Sequence, residues 1–195
     1  MELNERTMTS EESLRIISDM INKTKSNMSQ SSFHLLFWGW LIMACSLSEY
    51  FLYNFTNFAN PWYVWLFVIP GVVVSLTYGF VKGRKERVFT YADMLNMWTW
   101  IGFMIAAVIL FVLLSDRLES VAPFILLLAG FPTFISGFII KFRPLVFGGL
   151  SFWIISIIAN FAGPHVASLS VPLAIITGYL IPGYLLRIRS SHEAV

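Results

Sequence analysis

Within the long apolar stretches of this 195-residue chain there is a single acid, Glu49. A carboxyl group surrounded by hydrocarbon is costly, and such a residue usually finds a partner or borders a polar path. Three and four residues back along a helix lie Ser46 and Cys45, on the same face and small enough to border a cavity. Tyr50, Tyr53, Asn54 and, from a later stretch, Asn160 are the side chains able to hydrogen-bond the acid. Glu49, Cys45, Ser46 and Asn160 therefore form the candidate intramembrane polar site. Two chemistries fit it: a polar lining for the passage of a small solute, or a carboxyl near the interface that reaches toward headgroups.

Other reactive constellations are missing from the sequence. His34, His165 and His192 are isolated, and no H-E-x-x-H or C-x-x-C spacing occurs, so no metal site is expected. The single cysteine, Cys45, excludes an intramolecular disulfide. No G-x-S-x-G elbow or phosphate-binding loop is present, and no base stands near the serines in sequence. These readings predict no catalytic residue, no cofactor and no enzyme activity. A net charge of +2 gives no pull toward nucleic acid.

The elements that would position Glu49 follow from composition. The chain is 57% apolar and 12% charged, where a soluble domain is roughly 45–50% apolar and about 25% charged. Lipid is the expected solvent. Spanning it takes about 20 mostly apolar residues, and six stretches meet that length: about Phe33–Tyr53, Trp62–Val81, Leu95–Leu114, Val121–Ile140, Pro144–Phe161 and Leu169–Leu186. Of the thirteen Lys and Arg residues, all but Arg117 fall on one side of these spans. The positive-inside rule then places both termini in the cytoplasm. The first 32 residues show no secretory signal. Trp62 and Trp65 on the outer side, and Trp98 and Trp100 on the inner, read as interfacial anchors.

A pattern recurs through the spans. Gly79-Phe80, Gly137-Phe138 and Gly183-Tyr184 close spans two, four and six, each followed by a basic pair: Lys82/Arg84, Lys141/Arg143 and Arg187/Arg189. The odd spans hold Trp40, Trp100 and Trp153 in similar settings. The reading is a hairpin repeated three times in parallel, about 33–81, 95–140 and 144–186, unlike the inverted repeats of many transporters. Convergence yields the same pattern, because basic side chains snorkel at every inner helix end. Pro70, Pro132 and Pro182 mark candidate kinks in the even spans. The small residues Gly102, Ala106, Ala107, Gly130, Gly137, Ser151, Ser156 and Ala159 mark positions of close helix approach.

Before the spans, residues 1–32 carry a capping-box pattern at Thr9 and Glu12. Leu14, Ile17, Ile21 and Met28 then recur at helical spacing. An amphipathic cytoplasmic helix is expected there, docking on the bundle or pairing with another chain, because its mixed charges are unlike those of a strongly cationic helix lying on the membrane surface. Residues 190–195 are expected to form a short tail.

Three short hairpins in 195 residues, with few membrane charges, resemble the HdeD-type acid-resistance membrane proteins of bacteria. The opening "EESLRIISDMI" followed by a Trp-rich first span is similar to small uncharacterised bacterial inner-membrane proteins. The resemblance implies a six-helix inner-membrane bundle with no established chemistry. The sequence thus predicts an all-α polytopic membrane protein with a structural or regulatory role in the lipid bilayer. It would act through its packing and its cytoplasmic helix, with a homo-oligomer or a protein partner as the expected assembly. The competing expectation is a small uncoupled channel or facilitator with Glu49 lining the path.

Overall fold

A computed structural model describes residues 10–56, 58, 60–86, 91–161 and 164–192. All the regular structure among them is helical. Six helical stretches are long and apolar enough to cross a membrane: Ser31–Phe55, Pro61–Tyr78, Asp93–Leu113, Val121–Ile139, Arg143–Phe161 and Leu169–Ser191. They match the six expected spans to within a few residues, because hydropathy over a full span is a strong signal.

The first helix, α1 (Ser10–Phe55), is 46 residues long, about 69 Å at about 1.5 Å per residue. It runs without interruption from the N-terminal segment into span one. No Gly or Pro occurs between Ser10 and Trp38, so nothing breaks the hydrogen-bond ladder. The expected stripe of Leu14, Ile17, Ile21 and Met28 lies on this helix, but those side chains, like Thr9, fall outside the described residues.

Span two begins as a 3-10 segment, Pro61–Phe67, and continues as α2 (Val68–Glu86). Pro70 falls in the first turn of α2, where a missing N–H costs least. It is exposed, and it accompanies the change from 3-10 to α geometry. The side chains of Lys82 and Arg84, further along α2, fall outside the described residues. Helix α3 (Tyr91–Leu113) and a 3-10 segment, Ser115–Ser120, lead to α4 (Val121–Ile139) and α5 (Arg143–Phe161).

The α4–α5 link is unusually short, and its geometry is that of a Schellman motif. Phe142 N–H donates to the Gly137 carbonyl at 2.9 Å and Lys141 N–H to the Phe138 carbonyl at 3.1 Å. Lys141 takes the left-handed conformation, φ 56°, that glycine usually fills at this position. The two helices then pack closely against each other, the most extensive helix–helix contact among the described residues. Glycine permits it: a Cβ at Gly149 would come within 2.7 Å of Phe134 Cα, and one at Gly137 within 2.6 Å of the Val146 nitrogen.

Span six has three parts, α6 (Pro164–Ile175), a π-turn (Ile176–Leu180) and α7 (Ile181–His192). Helix α7 thus continues into the stretch expected as tail. The Ile181 N–H reaches back five residues to the Ile176 carbonyl. Pro182, which follows at once, is buried and has no N–H to give, and a π-turn is one way a membrane helix absorbs that loss. Pro132 in α4 is also buried against protein, as is Pro172 in α6.

The packing is uneven. Span six is the most buried, with 61% of its apolar window covered, against 6% each for spans two and three. Helix α1 packs on all three parts of span six, α5 joins span six to α4, and α3 lies on α4. Span two attaches to α1, largely through its 3-10 segment. Helices α2 and α3 form no comparable seam among the described residues.

Candidate functional site

Glu49 sits on α1 opposite the 3-10 start of span two. Its carboxylate Oε2 accepts a hydrogen bond from Trp65 Nε1 at 2.8 Å. By sequence Trp65 reads as an interfacial anchor. Its indole turns inward instead and packs against the core, because the 3-10 segment has three residues per turn rather than 3.6 and re-aims the ring. Cys45 and Ser46 are both buried, at 3% and 4% exposure. The Cys45 thiol donates to the Val64 carbonyl at 3.6 Å, again on the 3-10 segment. Three of the four predicted site residues therefore gather where span one meets the start of span two. Glu49 and Cys45 act there as a clamp: a carboxyl–indole hydrogen bond and a thiol contact tie an irregular backbone segment to a regular helix. Asn160 is exposed at the end of α5 and takes no part in that clamp. Asn54 donates to the Tyr50 carbonyl on its own helix at 2.9 Å.

A second polar cluster joins the first turns of span three to the last turn of α4, and sequence reasoning missed it. Trp100 Nε1 donates to Ser136 Oγ at 3.2 Å, and Ser136 Oγ donates to Asn96 Oδ1 at 2.6 Å. Beside it, Thr133 donates to the Ala129 carbonyl at 2.7 Å, and its hydroxyl oxygen lies 3.5 Å from Tyr179 Oη, whose own proton it can accept. Tyr179 belongs to the π-turn and packs edge-on against Phe152, centroids 5.1 Å apart. The first hairpin carries a parallel arrangement. Trp38 Nε1 donates to Ser75 Oγ at 3.3 Å, and that hydroxyl also pairs with His34 Nδ1 at 3.1 Å. In both hairpins a Trp and the polar residue four positions before it close on a serine of the returning helix. The visible signal was the i, i+4 spacing of His34–Trp38 and Asn96–Trp100. In span one the tryptophan that bonds a serine of the next helix is Trp38, two residues before Trp40. Trp40 is 54% exposed and donates to Tyr184 Oη at 3.2 Å. Trp153 instead donates to the Leu127 carbonyl at 3.1 Å, in the turn before Pro132, with its indole lying over Gly130.

Among the described residues every buried side-chain polar atom has a partner, and no group of three or more His, Cys, Asp or Glu could hold a metal. A cavity of about 670 Å³ opens at the end that holds Ser32, Tyr78 and Arg187. Glu49 does not line it, being 17 residues further along α1 than Ser32, about 25 Å at about 1.5 Å per residue.

Comparison with protein-family models, curated proteins and solved structures gives no match to the chain, so its function is read from its own geometry.

Proposed function

We propose that the chain is a non-catalytic integral membrane protein that holds a rigid helical arm in the cytosol. The carrying observation is the unbroken course of α1 from Ser10 to Phe55. A helix shared by the arm and span one transmits a tilt or rotation directly, with no flexible joint to absorb it. Span one is also the helix on which span six packs, so the arm is continuous with the core. The stripe of Leu14, Ile17, Ile21 and Met28 on the arm is the surface for a protein partner or a second copy of the chain. The setting is a bacterial inner membrane with both ends of the chain cytoplasmic, in keeping with the one-sided Lys and Arg distribution. The first two hairpins read as copies of one unit, supported by the matching Trp–Ser clasps. The third, where Trp153 bonds elsewhere, is a diverged copy.

Spin labels at Ser18 and Ser48, with Cys45 replaced by alanine, test the arm. A continuous helix sets them about 45 Å apart at about 1.5 Å per residue, with a narrow distribution that broadens when two glycines are inserted after Gln30. A broad, shorter distribution in the parent protein would overturn the reading. The channel alternative predicts a solute leak in proteoliposomes that is lost in Glu49→Gln, and such a leak would replace the present proposal.

A further inference from the structure

We propose that the groove between α1, the end of α2 and α7 binds an anionic phospholipid, with the phosphate at Arg187 and an acyl chain laid along α1. The register of α1 against span six sets the polarity of the groove. Gly39 lies against Leu180, and Gly183 against Leu36. The same antiparallel register, carried one turn further, places Arg187 opposite Ser32. Both residues line the cavity, so its mouth holds a guanidinium and a hydroxyl. Below the mouth the wall is apolar: Phe33, Phe37, Trp40 and Leu41 on α1, with Tyr78 closing the side from α2. Phe33 and Tyr78 stack with centroids 4.0 Å apart, which fixes the α2 side.

The dimensions fit a lipid better than a soluble anion. From Ser32 to Leu41 the wall extends about 13 Å along the helix, close to the roughly 15 Å depth of one leaflet's hydrocarbon. Trp40, at the deep end, is 54% exposed, so the groove is open sideways along its length, as entry from the bilayer requires. Among the described residues no acid lines the cavity. Arg187 is exposed and makes no ion pair with any described residue. Guanidinium is suited to phosphate because its planar fork matches two phosphate oxygens. The positive charge selects an anionic headgroup over a zwitterionic one, and the aromatic wall supplies the apolar half of the contact.

The test uses the full chain in detergent, with thermal unfolding followed as lipid is added. Phosphatidylglycerol is expected to raise the midpoint more than phosphatidylcholine of the same chain length. Arg187→Gln should weaken the apparent affinity for phosphatidylglycerol about fivefold, the equivalent of about 1 kcal/mol for one basic residue at the surface. Arg189→Gln, which removes a neighbouring cation outside the cavity, should leave most of that affinity in place. Equal responses to the two lipids, or equal losses from the two arginine variants, would overturn the proposal. So would stabilisation by glycerol 3-phosphate alone at matching concentration, since the acyl groove would then contribute nothing.

Discussion

Spans three and five have similar lengths and similar apolar content, yet they occupy their surroundings differently. Span five is 39% buried and span three 6%. The difference lies in where small residues meet a partner. In α5, Gly149 lies against Phe134 of α4, and Gly148 lies against Gly178 of the π-turn, so the helix is held by close backbone contact on two sides. In α3, no described residue of another helix comes within 4 Å of where a Cβ at Gly102 would stand. Span three is held instead by the Trp100–Ser136–Asn96 hydrogen bonds and contact with α4. Lipid is as apolar as leucine and gives no hydrophobic drive to bring helices together. Apolar content is enough to insert a span, whereas packing depends on shape and hydrogen bonds.

The sharpest way to break this comparison is to add the same side chain to each helix. Gly149→Leu should separate α4 from α5 and cost about 3 kcal/mol or more, read from reversible unfolding in mixed SDS and detergent micelles. Gly102→Leu should change the same measurement by less than about 0.5 kcal/mol. Similar losses at both sites would mean that small residues do not decide which spans are held.

The clamp at Glu49 belongs to the loosely packed side, and its effect should be intermediate. Trp65→Phe leaves the carboxylate without its donor, with an expected loss of about 1–3 kcal/mol. Glu49→Gln retains an oxygen that can accept from Trp65 and should lose much less. A larger loss in Glu49→Gln than in Trp65→Phe would show that the carboxylate does something other than accept this bond.

At the tight link, Lys141→Gly removes the left-handed strain at φ 56° and should stabilise the protein by about 1 kcal/mol, seen as a higher unfolding midpoint. A smaller effect than at the link is expected at the clasp. Ser136→Ala should cost about 0.6 kcal/mol, the usual scale for an interhelical hydrogen bond in a membrane. Ser75→Ala should cost a comparable amount, and a much larger loss in only one hairpin would argue against equivalent clasps.

Much of the architecture was legible in the residue order. The six spans, the turn at Ser115–Ser120 and the close approach at Gly137 follow from hydropathy, polarity and small size in sequence. The candidate site was legible only in part. The gathering of Glu49, Cys45 and Ser46 on one helical face follows from spacing. The partner of Glu49 did not, because Trp65 reaches it only after a 3-10 segment turns the indole inward. Tertiary contact likewise separates two tryptophans that read alike: Trp98 is 60% exposed, whereas Trp100 closes on Ser136.

What residue order determined by itself is the number and position of the helices, because transfer of 18 or more apolar residues into hydrocarbon depends on a local sum of side-chain free energies. Which helices touch was decided only in three dimensions. Close contact requires a gap on one helix to meet a filling group on another, as Gly149 meets Phe134, and a hydrogen bond requires two distant residues to meet at about 3 Å. Neither condition is a property of any one segment, so both appear only when the helices are set side by side.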